Sequence, residues 1–343
     1  MTQKAVTFGE IMLRLSPPGF ERLFQSPVLS ATFGGGEANV AISLAHFGLH
    51  SVYVTCLPKH AIGEGAVRTL RAEGVDTSAI VRSGDRVGIY FAETGASQRA
   101  STVIYDRAHS AISEMSADAV DWPRVMQDAS WFHVTGITPG LGDCAAAAAT
   151  AAVSAAKRAG ARVSVDLNFR KKLWSEAKAQ ATMKPLMKDV DVVIANEEDL
   201  QAVLGISVVG ANVTGGALDV AGYRDAAERV SRELGPPIVA VTLRESISAS
   251  DNGWSAVLWD AKSGTFHQSQ RYTVRLVDRI GGGDSFAAGL IYGILAGRAL
   301  DESLRFAVAA SALQQTIPGD FNRVSVAEVD ALAKGDASGR VQR

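Results

Sequence analysis

Asp278-Arg279-Ile280-Gly281-Gly282-Gly283-Asp284-Ser285-Phe286, running straight into the apolar helical segment Ala287–Leu295, is the stretch that decides how this chain is read. Three consecutive glycines let the backbone turn tightly and bring bare N–H groups toward a ligand. The following helix adds its own unpaired N–H groups and the positive end of its dipole. Together they form an anion cradle suited to a phosphoryl group in transfer. A carboxylate at the mouth of such a cradle would repel a phosphate that was merely held. Asp284 makes sense there as a base that takes the proton of a hydroxyl attacking phosphorus. A lone GGGD would read as a turn with Asp284 as N-cap. The flanking Asp278 and Arg279, together with a second glycine segment, favour the catalytic reading.

That second segment is Phe33-Gly34-Gly35-Gly36-Glu37-Ala38-Asn39-Val40-Ala41, again opening a helix. Its glycines allow a substrate close to the backbone, and Glu37 and Asn39 add polar groups able to hold hydroxyls. It is not a phosphate-binding Gly-Lys-Ser/Thr loop, and it lacks the third glycine of a dinucleotide fingerprint. Taken alone, a glycine turn opening a packed helix explains it equally well.

Working outward, short apolar runs alternate with helical patterns. Ala5–Phe8, Ser51–Cys56, Trp131–Thr135, Arg162–Leu167, Val190–Ala195 and Pro237–Thr242 read as buried strands of about five residues. Ala38–His46, Gly63–Glu73, Asp143–Ala159, Ser175–Lys188 and Asp225–Leu234 read as helices between them. This order predicts an α/β, doubly wound, mostly parallel sheet with helices on both faces and ligands beyond the strands' carboxyl ends. Val87–Glu93 and Arg99–Tyr105 alternate as strands joined by the turn Thr94–Ser97. A hairpin has no place in such a series, so residues 86–108, with the proline-rich 12–33, are expected to project as a small β lid on a single domain spanning 1–343. Residues 205–222 read as a surface loop, and 334–343 as a polar, loose tail.

The composition is ordinary for a soluble α/β protein: 343 residues, 47% hydrophobic and 20% charged. Thirty-four basic against 36 acidic residues remove any global electrostatic pull toward nucleic acid or membrane. Cys56 and Cys144 cannot build a disulfide framework or a four-ligand zinc site, so reduced thiols in the cytoplasm are expected. The first ten residues lack a signal-peptide pattern, and the alanine-rich run 145–156 is too short to span a bilayer.

The GGGEAN segment and the DRxGxGDxF segment together resemble the ribokinase-type (PfkB) sugar kinases over essentially the whole chain. The resemblance implies a ribokinase-like fold with a β lid over the sugar, ATP as donor and Mg²⁺ carried with the nucleotide. It also implies Asp284 as base and the N–H groups of Gly281, Gly282, Gly283 and Asp284 as anion hole. Several stretches are similar to 2-keto-3-deoxygluconate kinases in particular: GEIMLRLSPPG (9–19), GIYFAETG (88–95), VIYDRAHSAIS (103–113), DLNFRKKLW (166–174), ANEEDL (195–200) and TIPGDF (316–321). A keto-acid brings a carboxylate, which an arginine fork can grip bidentately. Arg170, after a sheet strand, and Arg107, after a lid strand, are placed at one rim for this, although each alone would read as a surface ion-pair partner.

Carried over position by position, the resemblance gives Gly35, Glu37, Asn39, Tyr90, Tyr105, Arg107, Arg170, Asp284 and Asp320 as sugar contacts. Tyr90 and Tyr105 read equally as cross-strand packing. Asn168, Asn196, Thr242 and Arg244 are the expected nucleotide contacts. The expected product is the 6-phosphate; fructose, ribose or 2-keto-3-deoxygalactonate as acceptor, or a non-catalytic sensor on the same scaffold, are the alternatives. Two departures stand out. The family's Asn-x-x-Glu is Asn196-Glu197-Glu198-Asp199 here, one methylene shorter beside the expected Mg²⁺. Its glycine-containing nucleotide loop is Thr242-Leu243-Arg244-Glu245-Ser246-Ile247-Ser248, which leaves ADP or another donor as an alternative. His46 and His50, four apart, suggest no third metal ligand. The lid's open edges predict a homo-oligomer.

Overall fold

The structure, a computed structural model, describes residues 3–208, 220–336 and 339. In chain order, β1 (Lys4–Phe8) is followed by β2 (Met12–Ser16), β3 (Ser30–Gly34) and helix α1 (Gly36–His46). Next come β4 (His50–Val54), β5 (Cys56–Leu57), α2 (Ala61–Ala72), β6 (Val81–Arg82), β7 (Ile89–Glu93) and β8 (Thr102–Asp106). The alternation continues with β9 (Ala129–Thr135), α3 (Asp143–Arg158), β10 (Arg162–Asp166), α4 (Glu176–Met183), β11 (Val192–Ala195) and α5 (Val220–Leu234). Strands β12 (Ile238–Ser246), β13 (Asp251–Asp260), β14 (Thr265–Gln268) and β15 (Tyr272–Arg275) precede α6 (Gly282–Leu295), α7 (Leu300–Gln314) and α8 (Val326–Ala333).

The main sheet runs β14-β13-β12-β11-β10-β9-β1-β4, with β15 also pairing β13. From β4 to β12 all pairs are parallel, and β13 turns the edge antiparallel. Because successive side chains face opposite ways, each apolar strand feeds two cores. Val6, Phe8, Val193, Val239 and Val241 join one core with the alanines of α3, whereas Ala5, Val192, Ile194 and Ala240 join the other with α6 and α7. Alanine at 145, 148, 149 and 152 lets α3 lie close on the sheet, and Asp143 and Lys157–Arg158 complement its dipole ends.

A separate four-stranded sheet, β3-β2-β7-β8, forms the lid. Its hairpin differs from the sequence reading. Tyr90 pairs with Tyr105 and Glu93 with Thr102, so the strands begin later and residues 94–101 connect them, not a four-residue turn. The connection leans on the main sheet: Ser97 O accepts from Ala249 N at 2.8 Å and Ser97 N donates to Ser250 Oγ at 2.9 Å. Three further expectations are corrected. Residues 184–189 leave the expected helix 175–188 as a 3-10 segment with Pro185 in its first turn. The strand from 237 does not stop at Thr242 but runs to Ser246. Of the loop 205–222, residues 220–222 belong to α5, and 209–219 lie outside the described residues. Most of the tail lies outside them too. No helix among the described residues is long and apolar enough to cross a membrane.

Candidate active site

A cleft of about 470 Å³ opens beyond the carboxyl ends of the parallel strands, roofed by the lid. Asp284 stands on its floor, third residue of α6, so the N–H groups of Gly282, Gly283 and Asp284 have no acceptor within the helix. Gly281 enters with φ 91°, and a Cβ there would lie 2.1 Å from the Asp320 carbonyl oxygen, so only glycine fits. The first turn of α1 lies alongside: a Cβ on Gly36 would stand 3.6 Å from Asp284 Oδ1. Gly35 is needed for close approach, because its Cβ would come within 2.0 Å of the Glu10 carbonyl.

Asn39 joins the two glycine segments. Its Oδ1 accepts from Gly35 N at 3.2 Å, and its Nδ2 donates to Asp284 Oδ2 at 2.7 Å and to Asp320 Oδ2 at 3.4 Å. Burial pushes the Asp284 carboxyl up to about 7, opposed by the Asn39 hydrogen bond, reinforced by Asp320 and Glu37 and countered by Arg170. A carboxyl titrating near neutrality beside an anion cradle can take a hydroxyl proton at working pH.

Asp320 is held from the lid. Tyr90 OH donates to it at 2.8 Å, and Arg14 on β2 reaches its Oδ1 with Nη1 at 2.6 Å while Nη2 reaches Asp278 Oδ2 at 2.6 Å. Asp278 in turn accepts from Ile280 N and Gly319 N, which fixes the loop ahead of the glycines. Sequence reasoning missed Arg14. Its signal was an arginine at a buried position of the period-2 strand MLRLS, whose partners lie hundreds of residues away. Asp166 was also missed. It ends β10 at the cleft, and burial, then Asp199 and Asp284, push its carboxyl well above the usual range.

The other expected residues divide into two groups. Tyr90, Tyr105, Arg107, Arg170, Asn168, Asn196, Thr242 and Arg244 all line the cleft, as do Gly35, Glu37, Asn39 and Asp320. Besides Asn39, Tyr90 and Asp320, whose bonds are given above, Glu37 and Arg107 are already engaged, and so is Asp199, expected near the Mg²⁺. The Glu37 Oε1 atom accepts from Thr135 N at 2.8 Å, Thr135 Oγ1 at 2.9 Å and Thr138 Oγ1 at 2.6 Å, so it braces the loop and that oxygen does not face a sugar. Arg107 is buried with its Nε donating to Glu10 Oε2 at 2.7 Å, beneath the Tyr105 ring. Asp199 caps its own turn: Oδ2 accepts from Asn196 N and Oδ1 from Phe169 N, so each of its oxygens already accepts one backbone hydrogen bond. Arg170, by contrast, is exposed and has no acidic side chain in ion-pair contact among the described residues, donating only to the Phe169 carbonyl.

A second cavity of about 1000 Å³ continues from Tyr105, Arg107 and Arg170 past Lys171 and Lys172. No group of three or more metal-ligating side chains occurs among the described residues. His46 and His50 are not on one helix: His46 ends α1 bonded to Glu73 at 2.9 Å, and His50 opens β4 bonded to Asp76 at 3.1 Å. His109, in the lid sequence, bonds Glu114 at the surface at 2.8 Å.

The sequence model of the pfkB family carbohydrate kinases matches residues 2–322. Among curated relatives, a 2-dehydro-3-deoxygalactonokinase of Haloferax volcanii is 32% identical over 99% of both chains. A 2-dehydro-3-deoxygluconokinase of Bacillus subtilis is 28% identical over 96% of this chain and 94% of its own. The crystal structure of a 2-dehydro-3-deoxygluconokinase from Thermotoga maritima superposes with a TM-score of 0.93 at 49% identity, covering 97% of this chain and 100% of that one.

Proposed function

Because this chain belongs to the pfkB family of carbohydrate kinases, we propose that it transfers the γ-phosphoryl group of ATP to the terminal 6-hydroxyl of 2-keto-3-deoxygluconate. The observation that carries this reading is the Asp284 carboxyl, held by Asn39 beside the unpaired N–H groups of α6 in a cleft rimmed by the exposed Arg170. Asp284 takes the hydroxyl proton as the new O–P bond forms and ADP leaves with the electrons of the broken bond. The N–H groups of Gly281–Asp284 take the charge on the phosphoryl oxygens. Mg²⁺ carried with the nucleotide would offset part of the phosphate charge in the cleft. Arg170 grips the acid's carboxylate, and Arg107 keeps Nη1 for it while its other nitrogens hold Glu10. The lid excludes water that would otherwise take the phosphoryl group. With reduced cysteines and ATP as donor, we place the reaction in the cytoplasm.

The 32% identity to a galactonate-type kinase favours the C4 epimer, 2-keto-3-deoxygalactonate, as a second acceptor. A phosphotransfer assay with both keto-acids, fructose and ribose, each with ATP and with ADP, tests the reading. The keto-acids with ATP are expected to lead in kcat/KM. Arg170→Met should raise KM for an acid roughly tenfold or more, the scale of one charged hydrogen-bonded contact, and spare a neutral sugar. Preference for fructose or ribose, or equal effects of Arg170→Met on acid and neutral sugars, would overturn it.

A further inference from the structure

We infer that Arg244 and Arg279 form a two-guanidinium clamp for the polyphosphate of a nucleotide, with Arg279 a contact residue for the phosphates in transfer. The inference rests on the kinase reading above and assigns the donor side of its cleft. Strand alternation along β12 buries Val241 and Leu243 and turns Thr242 and Arg244 to the cleft. Arg279 reaches the same cleft from the other side, two residues before Gly281. Its neighbour Asp278 is pinned there by Arg14 and two backbone N–H groups.

The charge environment of this pair is unlike that of the other cleft arginines. Arg14 and Arg107 are neutralised by buried carboxylates, and Arg170 lies in the field of Asp166, Asp199 and Asp284. Among the described residues, neither Arg244 nor Arg279 is in ion-pair contact with an acidic side chain. Glu197 lies within the field of Arg244, and burial raises its carboxyl above the ordinary value. Arg279 is half-buried, and burial followed by the approach of Arg244 disfavours its charge. Two cations lining one cleft near an N–H cradle, neither in an ion pair among the described residues, are satisfied by a ligand carrying several negative charges on oxygens. Guanidinium forks match phosphate oxygens bidentately. The cleft volume of about 470 Å³ suits a small polyanion. As the bond to the departing diphosphate breaks, negative charge builds on that diphosphate, where the clamp already sits.

The experiment is titration calorimetry of the full-length protein with inorganic tripolyphosphate, without sugar or metal, at two salt concentrations. Wild type is expected to bind with salt-sensitive affinity. Arg244→Met and Arg279→Met should each weaken binding tenfold or more, and Arg279→Lys should recover part of the loss. Ligand-free Arg279→Met should melt no lower than wild type, because a repelled cation has been removed; a merely structural arginine would melt lower. Affinities within twofold of wild type, a lowered melting point, or an unfolded Arg279→Met protein would each overturn the clamp. A chain that binds tripolyphosphate through both arginines yet phosphorylates no keto-acid would support the clamp and refute the substrate assignment. A chain that phosphorylates a keto-acid but loses no tripolyphosphate affinity in either variant would do the reverse.

Discussion

Replacing Asn39 by alanine isolates the hydrogen bond that holds Asp284 in its ionised form. Asn39 Nδ2 donates to the Asp284 carboxylate at 2.7 Å, and in the free protein that carboxyl titrates at about 7. A hydrogen bond to a charged group contributes roughly 1.5 kcal/mol. At about 1.4 kcal/mol per pH unit, removing it should raise the Asp284 titration by roughly one pH unit. The sign follows from which form the bond favours: the amide stabilises the anion, so its loss leaves the proton harder to remove. Asp320 also lies near Asn39 Nδ2, but Arg14 and Tyr90 still favour its anion, whose charge raises Asp284. The base must be deprotonated to work, so the acid limb of kcat/KM, which reports the free enzyme, should move from about 7 to about 8. Loss of an Asn39 contact to the sugar would lower the height of the profile without moving that limb. The assay is kcat/KM for the keto-acid across the pH range spanning both values. A limb that stays in place or moves to lower pH would refute the assignment of this bond and this base.

Two further outcomes follow from the same network. Asp284→Asn should lower kcat by roughly 10²–10⁴-fold while leaving nucleotide affinity within severalfold, measured by steady-state rates beside nucleotide titration; near-wild-type turnover would remove Asp284 from the proton transfer. Arg14→Met leaves Asp278 and Asp320 buried without their shared cation, which should cost about 3–5 kcal/mol in urea unfolding. Burial already raises the Asp320 carboxyl, so without Arg14 the folded chain should retain its proton to still higher pH. The loss should therefore be larger at pH 8 than at pH 6, and a pH-independent loss would mean that packing alone is at stake.

What could be read from the sequence follows the range of the interaction involved. The glycine turns at 34–36 and 281–283 are legible because their chemistry is local, with a special backbone followed at once by an apolar helix. The parallel strands are legible because burial on both faces leaves unbroken apolar runs such as Val192–Ala195 and Val239–Val241. The brace on the catalytic floor is not local. Arg14 and Asp320 are 306 positions apart, and Glu37 and Thr135 are 98 apart. Nothing within ten residues of Arg14 marks it as the partner of a carboxylate near the chain's end. Glu37 shows the converse: its type and place beside the glycines suggest a sugar contact, and only the packing of β9 against α1 shows its Oε1 facing inward.

The stretch 242–248 shows why the donor side is the hardest part to read. A strand buried on both faces looks apolar throughout, but β12 loses that character once it passes Thr242, because one face there borders the cleft. The resulting Thr-Leu-Arg-Glu-Ser alternation resembles a polar loop, and the absence of glycine then looks like a missing nucleotide site. Pairing of Arg244 with Trp254 on β13 shows that the backbone here is committed to the ladder. Past Val241 the strand pairs with β13 alone, and its successive N–H groups point to opposite sides, so this stretch cannot converge several of them on one anion. Clustered backbone amides occur on the α6 side of the cleft, at the first turn of that helix. On the β12 side the Arg244 guanidinium faces the cleft, and affinity for polyanions there should weaken with salt more steeply than a backbone nest would allow.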